Sequence, residues 1–169
     1  MVGAPYHRGM SVRTSAGILL YRLGGSGPGG LELLLAHPGG PYFERKDLGD
    51  WTIPKGEPDG EDEPLADVAR REFAEETGTT LDPSSPVLEL GSIVQKGGKV
   101  VHGWAIEGDL DPATAHSNEI DIEWPPRSGR RRQFPEIDRV AWFDPAEARR
   151  RIKSTQIPFI DRLEDALRR

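Results

Sequence analysis

The most constraining feature of this sequence is a helix-forming segment that ends in a dense group of glutamates. It runs from Pro64 to Gly78. Proline suits the first position of a helix, because its missing N–H would have no partner there, and glycine commonly ends a helix. At about 100° per residue, Leu65, Val68 and Ala69 share one face, and the glutamates continue that face over the last turns. The segment therefore predicts a helix that packs on a core.

The glutamates on this face are Glu72, Glu75 and Glu76. Like charges on neighbouring turns repel each other, and carboxylates at the end of a helix lie near the negative end of its dipole. A divalent cation bound between them would relieve both effects, and Mg²⁺, Mn²⁺ and Ca²⁺ all take carboxylate oxygens. The alternative is a solvated acidic helix end, because structural charge clusters are common. The inward-facing position and the glycine-rich approach favour the cation site.

The helix is the second half of a longer pattern. Its residues are Gly56, Glu63, Arg71, Glu72, Phe73, Glu75, Glu76, Gly78 and Thr79. The pattern resembles the Nudix box of the Nudix hydrolases, G-x5-E-x7-R-E-U-x-E-E-x-G-U, in which U is apolar. The spacing fits from Glu63 onward, but six residues instead of five separate Gly56 from Glu63. Either the loop carries one extra residue, or Glu61 takes the acidic position.

The resemblance implies both a fold and a reaction. The implied fold is α/β: the Nudix fold, a mixed β-sheet in an α/β/α sandwich. We expect one such domain over residues 1–169, with residues 1–11 as a loose arm. The implied reaction is the hydrolysis of a phosphoanhydride bond in a nucleoside diphosphate derivative, with Mg²⁺ or Mn²⁺ as the cofactor.

The same resemblance suggests roles for individual residues of the box. Glu72 is the implied base or a shared metal ligand, and Glu75 and Glu76 are the main metal ligands. Arg71 lies one turn before Glu75 and would pair with it, which orients the carboxylate. Arg71, Glu72 and Glu75 are therefore the catalytic candidates.

Further metal ligands are expected from outside the helix. In this family, the carbonyl just before the box glycine commonly binds a metal, and Lys55 supplies that carbonyl here. An acidic residue from a later loop often adds a ligand or a base. Glu136 is the first candidate for that position, and Glu123 is the second.

Four arginines stand close together in this acidic chain, at Arg127, Arg130, Arg131 and Arg132. Arginine binds phosphate through two parallel hydrogen bonds, and Trp124 or Phe134 could stack on a base. The cluster is thus a candidate substrate site, and the alternative is an exposed basic loop that pairs with surface acids. His37 and Lys55 are further substrate candidates. For His37 the alternative is a polar strand end before a turn.

The remaining elements follow from apolar patterns. Strands are predicted at 12–23, 31–37, 51–54, 87–95, 99–107, 119–124 and 139–143. The first two should form a hairpin, in which Gly17 marks a bulge or a close approach. Asp144 and Pro145 suit the start of a helix over 146–152, and a last helix is predicted at 157–169. The apolar stripe of that last helix is Phe159, Ile160, Leu163 and Leu167.

Composition limits the function classes. The chain has no cysteine, which excludes a disulfide framework and a thiolate metal site. No apolar run is long enough to cross a bilayer and no signal peptide is visible, so we expect a cytoplasmic protein without a membrane partner. The net charge of −6 argues against broad nucleic-acid binding, so the expected partner is a small nucleotide and not a stable nucleic acid.

The pattern of the box selects a diphosphate and leaves the attached group open. Among the possible substrates we favour nucleoside triphosphates and dinucleoside polyphosphates, because an arginine cluster suits several phosphates. A second hypothesis is a Nudix-fold protein that senses a nucleotide without cleaving it. A third is a structural domain stabilised by calcium, which would need no substrate pocket.

Overall fold

The computed structural model of the protein describes residues 12–169, so the arm predicted at 1–11 lies outside the described residues. The strands are β1 Thr14–Arg22, β2 Glu32–Pro38, β3 Lys55–Gly56, β4 Val87–Val94, β5 Val100–Glu107, β6 Glu119–Glu123, β7 Arg131–Pro135 and β8 Ile137–Phe143. The helices are α1 Leu65–Thr77, α2 Pro145–Arg151 and α3 Ile157–Leu167. Within residues 12–169, no helix is both long enough and apolar enough to span a bilayer.

Six of the strands form one mixed sheet. Its order is β4-β5-β1-β2-β8, with β3 paired to β1. β1 and β5 run parallel, and the other pairs in this sheet are antiparallel. Strands β6 and β7 form a separate two-stranded sheet. Two of the four clustered arginines, Arg127 and Arg130, lie in its loop. The other two lie in β7, a strand that was not predicted.

The central strand β1 supplies apolar side chains to both faces of the sheet. Ile18 and Leu20 belong to a cluster that includes the α1 residues Val68, Ala69 and Phe73. The alternate positions of β1 pack in a second cluster with the buried residues of α2 and α3. Because side chains alternate across a strand, helices cover both faces, and the predicted α/β/α sandwich is confirmed.

The predicted hairpin of β1 and β2 forms only near its loop. The two strands pair at Tyr21–Leu33 and Arg22–Glu32. Beyond that point the segment 51–56 enters between them, with Thr52 bridging to β2 and β3 pairing with β1. A Cβ added at Gly17 would lie 2.6 Å from the Pro54 carbonyl oxygen, so the close approach predicted there is confirmed.

The helix ends follow the predicted signals except at Pro64, which is the N-cap of α1 and not its first helical residue. Gly78 ends α1 with φ +76°, and its N–H donates to the Ala74 carbonyl. Asp144 caps α2 by accepting a hydrogen bond from the Glu147 N–H at 2.8 Å. The predicted apolar stripe of α3 is shorter than expected, because Leu167 is 37% exposed while the three earlier members are buried.

Candidate metal and phosphate site

A cavity of about 480 Å³, here called the main cavity, opens where β3 meets α1. The segment 51–56, which enters between β1 and β2, leads the chain to this cavity. Two kinds of charged side chain line it. The basic ones are Lys55, Lys99 and Lys153, and the acidic ones are Glu57, Asp59, Glu72, Glu76 and Glu136. Both signs of charge therefore meet in one cavity, as the binding of a metal and an anionic substrate requires.

Helix α1 presents two buried carboxylates to this cavity. Glu72 is 9% exposed and Glu76 is 4% exposed. The Lys55 N–H donates to Glu76 Oε2 at 3.1 Å, which ties α1 to β3. A Cβ added at Gly56 would overlap the Glu72 carboxylate, so only glycine lets that carboxylate lie against the backbone of β3. The glycine of the box is thus explained by a close contact.

Arg71 holds the acidic residues around it in place. Its guanidinium donates two hydrogen bonds to Glu63, from Nε to Oε1 at 2.8 Å and from Nη2 to Oε2 at 3.1 Å. Nη1 donates to Glu72 Oε1 at 2.8 Å and to Glu75 at 3.4 Å. Glu63 therefore fills the first acidic position of the box, and the exposed Glu61 does not. The extra residue is accommodated in the loop before Glu63.

Three carboxylates of the main cavity, those of Glu72, Glu76 and Glu136, have raised pKa values. Burial, reinforced by the charge of Glu136, raises the pKa of Glu76 to about 8. Burial also raises the pKa of Glu72 and of Glu136, and in both cases the charge of Glu75 adds to the effect. Burial lowers the pKa of Lys55 to about 8, with contributions from Lys99 and Lys153. A bound cation would relieve the repulsion among the acids, and a bound anion would relieve that among the lysines.

The acidic side chains that line the main cavity are of the type that binds a hard divalent cation. Glu72, Glu76 and Glu136 offer only carboxylate oxygens, which Mg²⁺ and Mn²⁺ prefer. Among residues 12–169, however, no three acidic or histidine side chains already converge in a metal-binding arrangement. The reason is local: Arg71 draws one oxygen of Glu72 and both of Glu75 to itself. Glu75, with a side chain 39% exposed, is outside the cavity lining.

The substrate contact predicted for His37 is wrong in this structure. The side chain of His37 is fully buried, with Nδ1 2.9 Å from Asp138 Oδ1 and Nε2 2.6 Å from the Lys46 carbonyl oxygen. Both ring nitrogens are engaged within the protein, so neither is left for a ligand. His37 is instead a polar residue at the end of a strand, as the alternative predicted. His37 anchors the loop 38–50, and Phe43 of that loop lines the main cavity.

The structure does not bring the arginine cluster to the main cavity. The described lining contains none of Arg127, Arg130, Arg131 and Arg132. Strand β6 places Glu123 opposite Arg131 and Ile122 opposite Arg132, and Arg131 Nε lies 2.7 Å from Asp121 Oδ2. The Arg132 guanidinium lies 5.4 Å from the Phe134 ring centroid, and Trp124 packs edge-on against Tyr42. All four arginines are exposed, and Arg131 pairs with a surface acid as the alternative predicted. Glu123 lies in the same hairpin.

The sequence reasoning missed Lys153. For Lys96 and Lys99 it weighed a contact with substrate phosphates against the alternative that exposed turn lysines do nothing specific. Lys99 belongs to the turn between β4 and β5, where an exposed lysine is usually unremarkable. Lys153 follows α2, and its N–H donates to the Trp51 carbonyl at 2.8 Å, which fixes it beside the inserted segment. No local pattern signals this position, because the partner is about a hundred residues away in the chain.

Comparisons with known proteins agree with this geometry. Residues 12–163 match the model of the NUDIX domain family. Among solved structures, an Ap4A hydrolase from C. elegans in a binary complex is similar, with 20% identity, a TM-score of 0.59, and 91% of this chain and 98% of that chain covered. A MutT protein from Methanosarcina mazei Go1 shares 19% identity at a TM-score of 0.59, with 95% and 100% covered.

A third similar structure is the NUDIX domain of Shewanella oneidensis NrtR in complex with ADP ribose. It shares 16% identity at a TM-score of 0.63, with 97% of this chain and 94% of that chain covered. No curated protein sequence matches the chain. At these identities the structural likeness shows the fold alone. The family match covers most of the chain, so this protein belongs to the Nudix family, whose members are generally metal-dependent pyrophosphohydrolases.

Proposed function

We propose that this protein is a divalent-metal-dependent hydrolase that cleaves a phosphoanhydride bond in a nucleoside diphosphate derivative. The observation that supports this most directly is the mixed lining of the main cavity. Buried carboxylates suited to Mg²⁺ or Mn²⁺ face the same space as three lysines suited to phosphate. A purely structural cation site would have no use for the lysines.

The residues of the main cavity have complementary parts in this reaction. A phosphoanhydride carries repelling negative charges, which the ammonium groups of Lys55, Lys99 and Lys153 would balance as the substrate binds. Glu72, Glu76 and Glu136 would hold the metal, which when bound neutralises phosphate charge and lowers the pKa of a coordinated water.

One carboxylate of the site would take the proton of the attacking water. Glu136 lines the cavity outside the Arg71 network, whereas Glu72 shares an oxygen with Arg71. Glu136 is therefore the proposed additional ligand or base, and Glu72 keeps its proposed role as a base or a shared ligand. Arg71 acts as a positioning residue, because it orients Glu63, Glu72 and Glu75.

The proposed substrates are nucleoside triphosphates and dinucleoside polyphosphates. Three lysines in one cavity match several phosphates better than a single diphosphate. Phe43 also lines the cavity and offers an aromatic surface for a base. The similar C. elegans protein is described as an Ap4A hydrolase, which is compatible with this substrate class.

A second candidate function is nucleotide sensing without hydrolysis. It is favoured by one observation, that three metal-binding side chains do not already converge among residues 12–169. The similar NrtR domain was solved with ADP ribose bound, so this fold can hold an intact nucleotide derivative. Under this alternative the lysines would bind phosphate, and Glu63, Glu72 and Glu75 would stay hydrogen-bonded to Arg71.

Turnover of a substrate panel tests the two functions. The purified protein is incubated with Mg²⁺ or Mn²⁺ and nucleoside triphosphates, dinucleoside polyphosphates and sugar nucleotides, and the products are identified by chromatography. The hydrolase requires metal-dependent products that vanish in Glu76→Gln while the variant stays folded. Tight binding without products across the panel would establish the sensor instead.

A further inference from the structure

A second cavity of about 290 Å³ adjoins the main cavity and has no part in the function proposed so far. Lys153 lines both cavities. The turn between β4 and β5 also contributes to both, with Lys99 in the main cavity and Gln95 and Lys96 in the second. The Gln95 N–H donates to the Lys99 carbonyl at 2.8 Å, so the two linings meet within one turn. A chain-like ligand that passes Lys153 can therefore occupy both.

The second cavity is lined by hydrogen-bond donors. Lys96 and Lys153 bring two ammonium groups, and within residues 12–169 no carboxylate lies within 4.0 Å of either. Ser154 and Thr155 add hydroxyl groups. The Gln95 Nε2 atom is buried and has no hydrogen-bond partner in the described part of the chain. A buried donor without a partner is costly, and a ligand acceptor would relieve that cost once the Gln95 side chain turns toward the cavity, because the atom has almost no accessible surface here.

The composition of the lining also discriminates between ligands. No aromatic side chain of the described residues lines the second cavity, which disfavours a stacked base. The lining contains one acid, Asp50, against the two ammonium groups. Asp50 also helps to keep Lys153 charged, since it opposes the fall in the pKa of Lys153 that burial causes. An anion with several acceptor oxygens, such as a phosphate, fits this set of groups.

We propose that the second cavity binds an additional phosphate of a linear polyphosphate substrate, the third or a later one, while the diphosphate that is cleaved lies in the main cavity. This inference rests on the proposed function for its main-cavity ligand, and it narrows the substrate class. Triphosphates and longer polyphosphates are favoured over sugar nucleotides, which carry only two phosphates. Lys153 joins the two subsites, and Lys96 with Gln95 recognises the added phosphate.

Calorimetric binding of two inorganic anions tests the subsite without requiring turnover. Pyrophosphate and tripolyphosphate are titrated into the full chain in magnesium buffer, with Lys96→Gln as the test variant. Arg168→Gln is the matched control, because it removes one exposed positive charge at the far end of α3. We expect Lys96→Gln to raise the Kd for tripolyphosphate about tenfold and to leave the Kd for pyrophosphate within about twofold. Arg168→Gln should change neither.

A second variant, Gln95→Leu, removes the unpartnered amide and should weaken tripolyphosphate binding selectively, by a smaller factor. Equal wild-type affinity for the two anions would overturn the subsite. So would equal losses in Lys96→Gln and Arg168→Gln, which would indicate a general effect of charge. Absence of nucleotide turnover refutes the hydrolase alone, because selective tripolyphosphate binding through Lys96 would still be measured. The two failures are thus distinguishable.

Discussion

The main cavity and the β6–β7 hairpin are both crowded with charge, yet they differ in almost every physical respect. In the main cavity Glu72 and Glu76 are buried, and their pKa values are raised by burial and by neighbouring acids. In the hairpin the arginines are exposed, and Arg131 pairs with Asp121 on the adjacent strand. Charges satisfied by their own neighbours have little left to offer a ligand. Buried charges that repel each other gain stability when a ligand binds.

The comparison teaches that the density of charge in a sequence is a poor guide to a binding site. Four arginines within six residues made the hairpin conspicuous, while three lysines spread over the chain line the main cavity. What separates the two regions is whether folding buries the charges together.

The largest expected effect is on catalysis. Glu76→Gln should lower metal-dependent turnover at least about 100-fold, because even groups that only support metal ligands typically cost 10–100-fold when removed. Glu123→Gln, the same change in the hairpin, should leave turnover unchanged. Both are measured as kcat with the best substrate of the panel, after circular dichroism shows that each variant is folded. Equal kcat values for the two variants would show that the main cavity matters no more for catalysis than the hairpin does.

The second effect is on stability. Arg71→Met should lower the free energy of unfolding by about 2 kcal/mol, since it leaves the buried Glu72 carboxylate without its cationic partner. Arg131→Met breaks an exposed pair and should leave the unfolding midpoint unchanged. Urea unfolding of both variants measures the contrast. A larger loss of unfolding free energy in Arg131→Met than in Arg71→Met would mean that Arg131 is the arginine that stabilises the fold.

The third effect is on substrate affinity. Lys99→Gln should raise KM about tenfold, because it removes an ammonium group from the lining of the main cavity. Arg132→Gln in the hairpin should change KM by less than about twofold. Steady-state kinetics at saturating Mg²⁺ give both values. A rise in KM confined to Arg132→Gln would restore the arginine cluster as the phosphate site.

The smallest effect concerns the protein without metal. Burial and the charge of Glu136 raise the pKa of Glu76 above its value in the unfolded chain. The stability contributed by this group is therefore present at low pH and lost as the pH rises through about 8. In EDTA, Glu76→Gln should melt at the same temperature as the wild type at pH 5.5 and up to about 3 °C higher at pH 8. A lower melting temperature at both pH values would mean that Glu76 has a structural role.

Much of the fold was accessible from the sequence, because local chemistry decided it. Asp144 and Pro145 set the start of α2, Gly78 set the end of α1, and the glycines between β4 and β5 set a turn with φ +87° at each. The spacing of Arg71 one turn before Glu75 also predicted a pair, which the structure shows as two hydrogen bonds of 3.4 Å. Each of these features depends on residues close together in the chain.

The parts that were missed depend on distant residues. Insertion of the segment 51–56 between β1 and β2 shortens the predicted hairpin, and no pattern in either strand signals it. Burial of His37 follows from contacts with Asp138 and with the backbone of Lys46. Strand β7 is rich in arginine, so it lacks the apolar alternation by which strands are recognised. Long-range packing decided each case.

The central claim is that the buried carboxylates of the main cavity bind a divalent metal that serves phosphoanhydride hydrolysis. Anomalous diffraction from crystals soaked in Mn²⁺ tests it most directly, because manganese scatters anomalously and replaces magnesium at oxygen sites. The account predicts anomalous peaks within coordination distance of the Glu72 and Glu76 carboxylates. A map with no peak in the main cavity at saturating Mn²⁺ would contradict it.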